Sequence, residues 1–145
     1  MILIFGGAYQ GKLGYAKDNF KTDRIFSCGD IKTGEDQKSP LMYGIDRFLR
    51  EDRKKDSDRL CIICGLEDFV LECNEHGIEA ADWFRKRRGS WQDMILIIED
   101  RSQGIVPVDP EMRAAREMSG RLMTYLASEA EEVHRVFCGI GKRIK

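Results

Sequence analysis

The sequence contains no apolar run as long as the ~18 residues that a membrane-spanning helix requires, so we expect no transmembrane segment. Its apolar start, residues 1–5, is too short for a secretory signal and lacks a basic region before it. Neither sign of charge is in excess, because 24 Lys and Arg stand against 25 Asp and Glu for a net charge of −1. A general attraction to nucleic acid or acidic membranes is therefore not expected, and the predicted location is the cytoplasm.

Histidine is scarce, with only His76 and His134 in the chain. Cys61 and Cys64 form a C-x-x-C motif, but no second pair and no nearby histidine completes a zinc set. In a strand over residues 60–64 these two side chains point to opposite faces, so their thiols cannot meet. The total of five cysteines is odd, and Cys61, Cys64 and Cys138 lie in apolar runs. We therefore predict buried structural cysteines.

Only three prolines are present, and two of them indicate where helices begin. Ser39 precedes Pro40 and Asp109 precedes Pro110, so each pair places a capping residue before a proline at the first helical position. The second pair begins the longest predicted helix. Its inward stripe is predicted to be Met112, Ala115, Ser119, Leu122, Leu126 and Ala130.

Apolar runs alternate with helical patterns along the whole chain. Strands are predicted at residues 1–5, 24–28, 59–64, 93–100 and 132–140. Helices are predicted at residues 12–20, from 39, at 66–73, at 78–88 and from 109, with a polar loop at 29–38 and an irregular tail at 141–145. This order predicts one α/β domain over residues 1–145, with a mostly parallel sheet covered on both faces. Ligands of such sheets bind at the carboxyl ends of the strands.

The first strand leads into a glycine-rich segment, Gly6-Gly7-Ala8-Tyr9-Gln10-Gly11-Lys12, and then into a helix. The frame Gly-x-x-x-x-Gly-Lys between a strand and a helix is typical of a phosphate-binding loop, and it predicts a three-layer, P-loop NTPase-like fold. Glycines let backbone N–H groups converge on phosphate oxygens, and the lysine places a positive charge beside the outer phosphates. We predict that ATP or GTP binds to Gly6, Gly7, Ala8, Gln10, Gly11, Lys12 and Leu13.

The loop pattern normally ends in Ser or Thr, whose hydroxyl holds Mg²⁺, but this chain has Leu13 there. A leucine side chain cannot bind the ion. The alternative interpretation is a glycine turn that joins a strand to a helix, with Lys12 in solvent.

Two stretches resemble the adenosylcobinamide kinase/adenosylcobinamide-phosphate guanylyltransferase family, and together they cover about half of the chain. The first is residues 1–12. The second contains Gly104-Ile105-Val106-Pro107, Asp109-Pro110, Arg113, Arg116, Gly120-Arg121-Leu122 and Gly139-Ile140-x-x-Arg143-Ile144-Lys145.

The resemblance implies a P-loop fold, a homo-oligomer and a role in cobalamin biosynthesis. Proteins of this family phosphorylate adenosylcobinamide and then transfer GMP onto that phosphate through a guanylyl-histidine intermediate. For this chain, the resemblance implies a nucleoside triphosphate and a corrinoid as ligands, and Lys12 and Asp100 as catalytic residues. It implies Mg²⁺ held by Glu99 and Asp100, with Glu67 as a substitute ligand.

The chain departs from the family pattern in three respects. Leu13 replaces a hydroxyl ligand of the metal, and Cys64 stands where the third strand of the family ends in an acid. Residues 28–59, where the guanylyl-accepting histidine would lie, contain no histidine. We therefore expect guanylyl transfer to be lost. Three hypotheses remain open: a nucleotide-dependent kinase, a non-catalytic nucleotide- or corrinoid-binding protein that partners another protein, and a structural relative with an empty loop.

Overall fold

The computed structural model describes residues 1–31, 39–52, 60–102 and 104–145. In these ranges the strands are β1 (Ile2–Gly6), β2 (Ile25–Ser27), β3 (Cys61–Cys64), β4 (Met94–Glu99), β5 (Glu132–Phe137) and β6 (Ile140–Arg143). The α-helices are α1 (Lys12–Phe20), α2 (Pro40–Asp52), α3 (Leu66–Glu75), α4 (Ala80–Arg85) and α5 (Pro110–Glu129). Of the polar loop predicted at 29–38, residues 32–38 lie outside the described ranges.

The six strands form one sheet in the order β2-β3-β4-β1-β5-β6. All neighbours are parallel except β5 and β6, which are antiparallel. β1 lies in the interior, and its Ile4 is paired with Ile97 on one side and His134 on the other. The prediction of an α/β fold with a mostly parallel sheet is confirmed.

Helices cover both faces of this sheet. On one face, Ala16 of α1 packs in an apolar cluster with Ile4 and Ile95. On the other face, α2 to α5 build the larger core, which contains Ile45, Phe69, Phe84, Leu122 and Leu126. The arrangement is compatible with a three-layer α/β fold. No helix in the described ranges has the length and apolar character needed to cross a membrane.

The amino terminus of α2 is held by an acid from another helix. The amide of Tyr43 donates to the Ser39 carbonyl at 3.1 Å, so α2 begins after Ser39 as predicted. The amides of Leu41 and Met42 donate to the two carboxylate oxygens of Glu72 on α3, both at 2.9 Å. Glu72 is buried, and its negative charge suits the positive end of a helix. This contact joins α2 to α3.

The start of α5 follows its prediction, but the predicted inward stripe is wrong at one position. Asp109 caps the helix, because its Oδ1 accepts a hydrogen bond from the Glu111 amide at 2.8 Å. Met112 is 41% exposed, because the preceding segment is itself exposed and gives it no cover. Met118 packs into the core instead.

The last predicted strand is wrong in its extent. The chain leaves β5 at Phe137, turns at Cys138 and Gly139, and returns as the antiparallel β6 through part of the predicted tail. Both turn residues have positive φ, 50° and 78°, which is the backbone form of a tight hairpin turn. Cys138 is exposed on this turn and is not buried as predicted, whereas the other four cysteines are buried and form no disulfide.

Replacing Glu72 by Ala removes both acceptors of the buried α2 amides. We expect a loss of about 3 kcal/mol in the free energy of unfolding, because each hydrogen bond to a charged group contributes about 1.5–3 kcal/mol. Glu72→Gln keeps one oxygen acceptor and should lose about half as much. Urea unfolding monitored by circular dichroism measures both changes. The matched control is Glu75→Ala, an exposed residue of the same helix, and equal losses for Glu72→Ala and Glu75→Ala would contradict the assignment.

Candidate functional site

The 6–12 loop leaves β1 at the carboxyl edge of the sheet, between β4 and β5. The carbonyl of Gly6 accepts a hydrogen bond from the Asp100 amide at 2.9 Å, which ties the loop to the end of β4. A Cβ on Gly6 would stand 2.2 Å from the carbonyl oxygen of Val136 on β5, so only glycine permits this close approach. Gly11 has a φ of 81°, a conformation that glycine adopts without strain. Both glycines of the motif are therefore required by the backbone.

Lys12 begins α1 and remains close to the loop. Its Nζ donates to the Gly7 carbonyl at 2.7 Å, and the residue is half-buried. Gly11 stands at the helix cap and provides no side-chain acceptor, so the first amides of α1 have no such cap. A positive side chain thus lies beside uncapped amides at the positive end of a helix. This arrangement can bind an anion.

A cavity of about 260 Å³ opens beside the start of α1. It is lined by Tyr9, Gln10, Gly11, Lys12, Leu13, Gly14, Cys64, Gly65, Glu67 and Ile97. The sequence-based set of nucleotide-binding residues omitted Tyr9 and Gly14, and its Gly6, Gly7 and Ala8 are not part of this lining. The cavity is smaller than the ~300–1,000 Å³ of typical ligand pockets, so it suits a phosphate group. The rest of a nucleotide would extend outward past the fully exposed Tyr9.

The three acids predicted as metal ligands each have another partner. Glu67 lines the cavity, and its Oε2 accepts a hydrogen bond from the Glu99 amide at 3.1 Å. The Glu99 carboxylate pairs with Arg101 at 3.4 Å, and Asp100 Oδ1 accepts from the Ser102 amide at 3.0 Å. In the part of the chain that the structure describes, no group of three or more His, Cys, Asp or Glu could hold a metal ion. Only Glu67 of the three lines the cavity.

The cavity is apolar at the two positions where metal ligands were expected. Leu13 packs against an apolar cluster that includes Cys64 and Ile97, and all three residues line the cavity. Burial raises the pKa of the Cys64 thiol, so it stays protonated at neutral pH. Magnesium requires oxygen ligands, and neither a leucine nor a neutral thiol supplies one. These two positions therefore do not fit the Mg²⁺ that the resemblance implies, and Glu67 is the one carboxylate in the cavity lining.

The β5–β6 hairpin holds the loop from the side opposite β4. Gln10 Oε1 accepts a hydrogen bond from the Cys138 amide at 2.6 Å, and the Gln10 carbonyl accepts from the Gly139 amide at 2.9 Å. A Cβ on Gly11 would stand 3.2 Å from the Gly139 Cα. The role of this hairpin was not predicted, although Gly139 was a possible turn signal in the sequence.

A chain of polar side chains joins α1 to β5. The Tyr15 hydroxyl and His134 Nδ1 are 2.9 Å apart, and His134 Nε2 and Glu132 Oε2 are also 2.9 Å apart. Glu132 pairs with Arg143 on β6, and the hydrogen bond with His134 is the main cause that lowers the pKa of the Glu132 carboxyl. His134 therefore contributes to the contact between α1 and β5. His76 follows the end of α3 and is exposed. Neither histidine lines the cavity.

The second stretch of the resemblance lies mainly around the start of α5. Arg113 donates to the Pro107 carbonyl at 3.0 Å, and Arg116 donates to the Ile105 carbonyl at 3.1 Å. Both arginines thus bind backbone carbonyl groups of the segment between β4 and α5. The side chains of Ile105 and Val108 are left exposed.

Searches of this chain against models of known protein families and against curated proteins find no match. The family resemblance therefore stays a prediction, and the function has to be inferred from the site.

The uncapped amides at the start of α1 should bind sulfate. In ¹⁵N-edited NMR spectra, we expect saturable shifts of the Gly11, Lys12 and Leu13 amides when sulfate is titrated. Lys12→Ala should weaken binding by about tenfold, because a charged hydrogen-bond donor is lost. The control is Lys86→Ala, an exposed residue at the end of α4, which should not alter the titration. Shifts spread over many surface amides would contradict a defined site.

Proposed function

We propose that this chain is a nucleotide-binding P-loop protein, a divergent relative of the adenosylcobinamide kinase/guanylyltransferase family that has lost guanylyl transfer. The observation that carries the proposal is the meeting of Gly11, Lys12 and the first turn of α1 at one cavity, on the carboxyl edge of the sheet. This edge is where ligands of parallel α/β sheets bind.

The position of Lys12 favours a phosphate loop over a simple glycine turn. In a simple turn, the ammonium group would extend into solvent. Here it is half-buried and donates to the Gly7 carbonyl, so it already lies over the loop. A phosphate oxygen can replace that carbonyl as the acceptor with a small movement of a flexible side chain. The loop is thus arranged around its lysine before any ligand arrives.

The loss of guanylyl transfer is supported by the positions of the two histidines. The reaction needs a nucleophilic nitrogen close to the α-phosphorus of GTP. His134 is buried between Tyr15 and Glu132, and His76 lies beyond the end of α3. Neither of them is in the cavity lining that contains Lys12.

The site favours nucleotide binding over phosphoryl transfer. Kinases use magnesium to bridge the outer phosphates and to neutralise charge in the transition state. Leu13 and the neutral Cys64 supply no ligand for that ion, and the nearby acids have other partners. A role in cobalamin biosynthesis, a corrinoid ligand and a homo-oligomer are proposed from the family resemblance alone.

Nucleotide binding should raise the melting temperature, because the ligand binds the folded state. At about a hundredfold excess over Kd, we expect ATP, GTP or tripolyphosphate to add ~2.7 kcal/mol, or about 5–10 °C. Lys12→Ala should abolish the shift, and the matched variant Lys86→Ala should retain it. A shift that persists in Lys12→Ala would place the ligand elsewhere, and the absence of any shift in the wild type would indicate an empty loop.

Incubation with α-labelled GTP and Mg²⁺, followed by denaturation, should leave no stable label on the protein. The physical reason is that no histidine lies within the cavity to attack the α-phosphorus. A stable label would contradict the proposed loss. The variants His76→Ala and His134→Ala would then identify the acceptor.

A further inference from the structure

The charge at the loop is suited to a phosphate that carries its full negative charge. Lys12 supplies one positive charge, and the first turn of α1 adds the partial positive charge of a helix amino terminus. Glu67 lines the same cavity, and its negative charge offsets part of this attraction. Its Oε2 is already hydrogen-bonded to the Glu99 amide, which fixes the carboxylate at the end of β4.

The residue that follows Lys12 determines whether the site offers a ligand to a cation. The loop pattern places a hydroxyl here to hold Mg²⁺, but Leu13 turns its side chain into the apolar cluster with Ile97. Cys64 belongs to that cluster as well, and burial keeps its thiol protonated. A bridging ion would therefore meet an apolar side chain and a neutral thiol at these two positions, and the one carboxylate in the lining, Glu67, is already hydrogen-bonded to the Glu99 amide. Magnesium gives up its water shell reluctantly, so such a surface opposes its entry.

We propose that the 6–12 loop binds phosphate groups in their metal-free form, so that Mg²⁺ weakens the binding of a nucleotide. This inference rests on the proposed nucleotide-binding function and specifies which state of the ligand the same site accepts. Chelated Mg²⁺ removes two negative charges from a triphosphate, which reduces its attraction to Lys12 and to the end of α1. It also brings a hydrated ion against the apolar surface formed by Leu13, Cys64 and Ile97.

The ligand class follows from this arrangement and from the size of the cavity. A volume of about 260 Å³ is smaller than a typical ligand pocket, so the base and sugar of a nucleotide would lie outside it. The positive charge comes from one lysine and one helix amino terminus, so the site suits a ligand whose charge lies on a single group, such as the phosphomonoester of a nucleoside monophosphate. A magnesium-chelated triphosphate fits it less well, because the chelate spans two or three phosphates around the ion.

The proposal is tested by calorimetric titration with GTP, once in excess EDTA and once in excess MgCl₂. The ionic strength is matched between the two titrations, so that charge screening is the same in both. We expect metal-free GTP to bind at least about tenfold more tightly than the magnesium complex. GMP should bind with an affinity that MgCl₂ changes less than twofold. A wild-type protein that binds GTP only with Mg²⁺, or equally well in both conditions, overturns the inference.

The variant Leu13→Ser/Cys64→Asp restores a hydroxyl and an acid at the two apolar positions. It should reverse the preference, so that Mg²⁺ tightens the binding of GTP. Leu13→Ala/Cys64→Ala is the matched control: it shortens the same side chains without adding oxygen ligands, and it should keep the wild-type preference. Equal behaviour of the two variants would contradict the role of these positions.

Electron paramagnetic resonance with Mn²⁺ provides a readout on the wild-type protein that needs no variant. We expect the wild-type protein to leave the spectrum of Mn²⁺·GTP unchanged. A protein-bound Mn²⁺·GTP signal that competes with tripolyphosphate would overturn the inference. Failure of the wild type to bind GTP, GMP or tripolyphosphate under every condition would instead overturn the proposed function itself.

Discussion

The burial of β1 between β4 and β5 is the constraint on which the site depends. Leu3 and Ile4 point to opposite faces of the sheet and are both fully buried, so β1 needs cover on both sides. Burying a side chain of this size contributes about 1.5–3 kcal/mol. β1 is paired with a strand on each edge, so the segment that follows it continues past the carboxyl end of the strand. The glycine loop and the start of α1 are thereby placed at the middle of the carboxyl edge.

The loop is held from both of its neighbouring strands. On one side, Gly6 accepts a hydrogen bond from the Asp100 amide after β4, and on the other, Gln10 accepts two from the β5–β6 turn. A loop restrained in this way loses little freedom when a ligand binds, which favours affinity for a small anion. A phosphate bound at the loop would compete with the Gly7 carbonyl for the ammonium group of Lys12.

The two departures from the magnesium-binding pattern are chemically consistent with each other. Leu13 and Cys64 contribute to the same apolar cluster, so each makes the surroundings of the other less polar. With both positions apolar or neutral, the site keeps Lys12 and the uncapped amides of α1, which are the groups that we propose bind phosphate.

The sequence by itself determined the features that depend on neighbouring residues. The alternation of strands and helices, the strand–loop–helix order at Lys12 and the helix starts at Pro40 and Pro110 follow from local periodicity and capping. Tertiary structure decided the contacts between distant segments: Gln10 meets Cys138 across 128 positions, and Glu72 reaches Leu41 across 31. It also gave Glu67 and Glu99 partners other than a metal. Side-chain types can reveal how a segment folds, but which segments become neighbours is set by the strand order of the sheet, and no local pattern encodes that order.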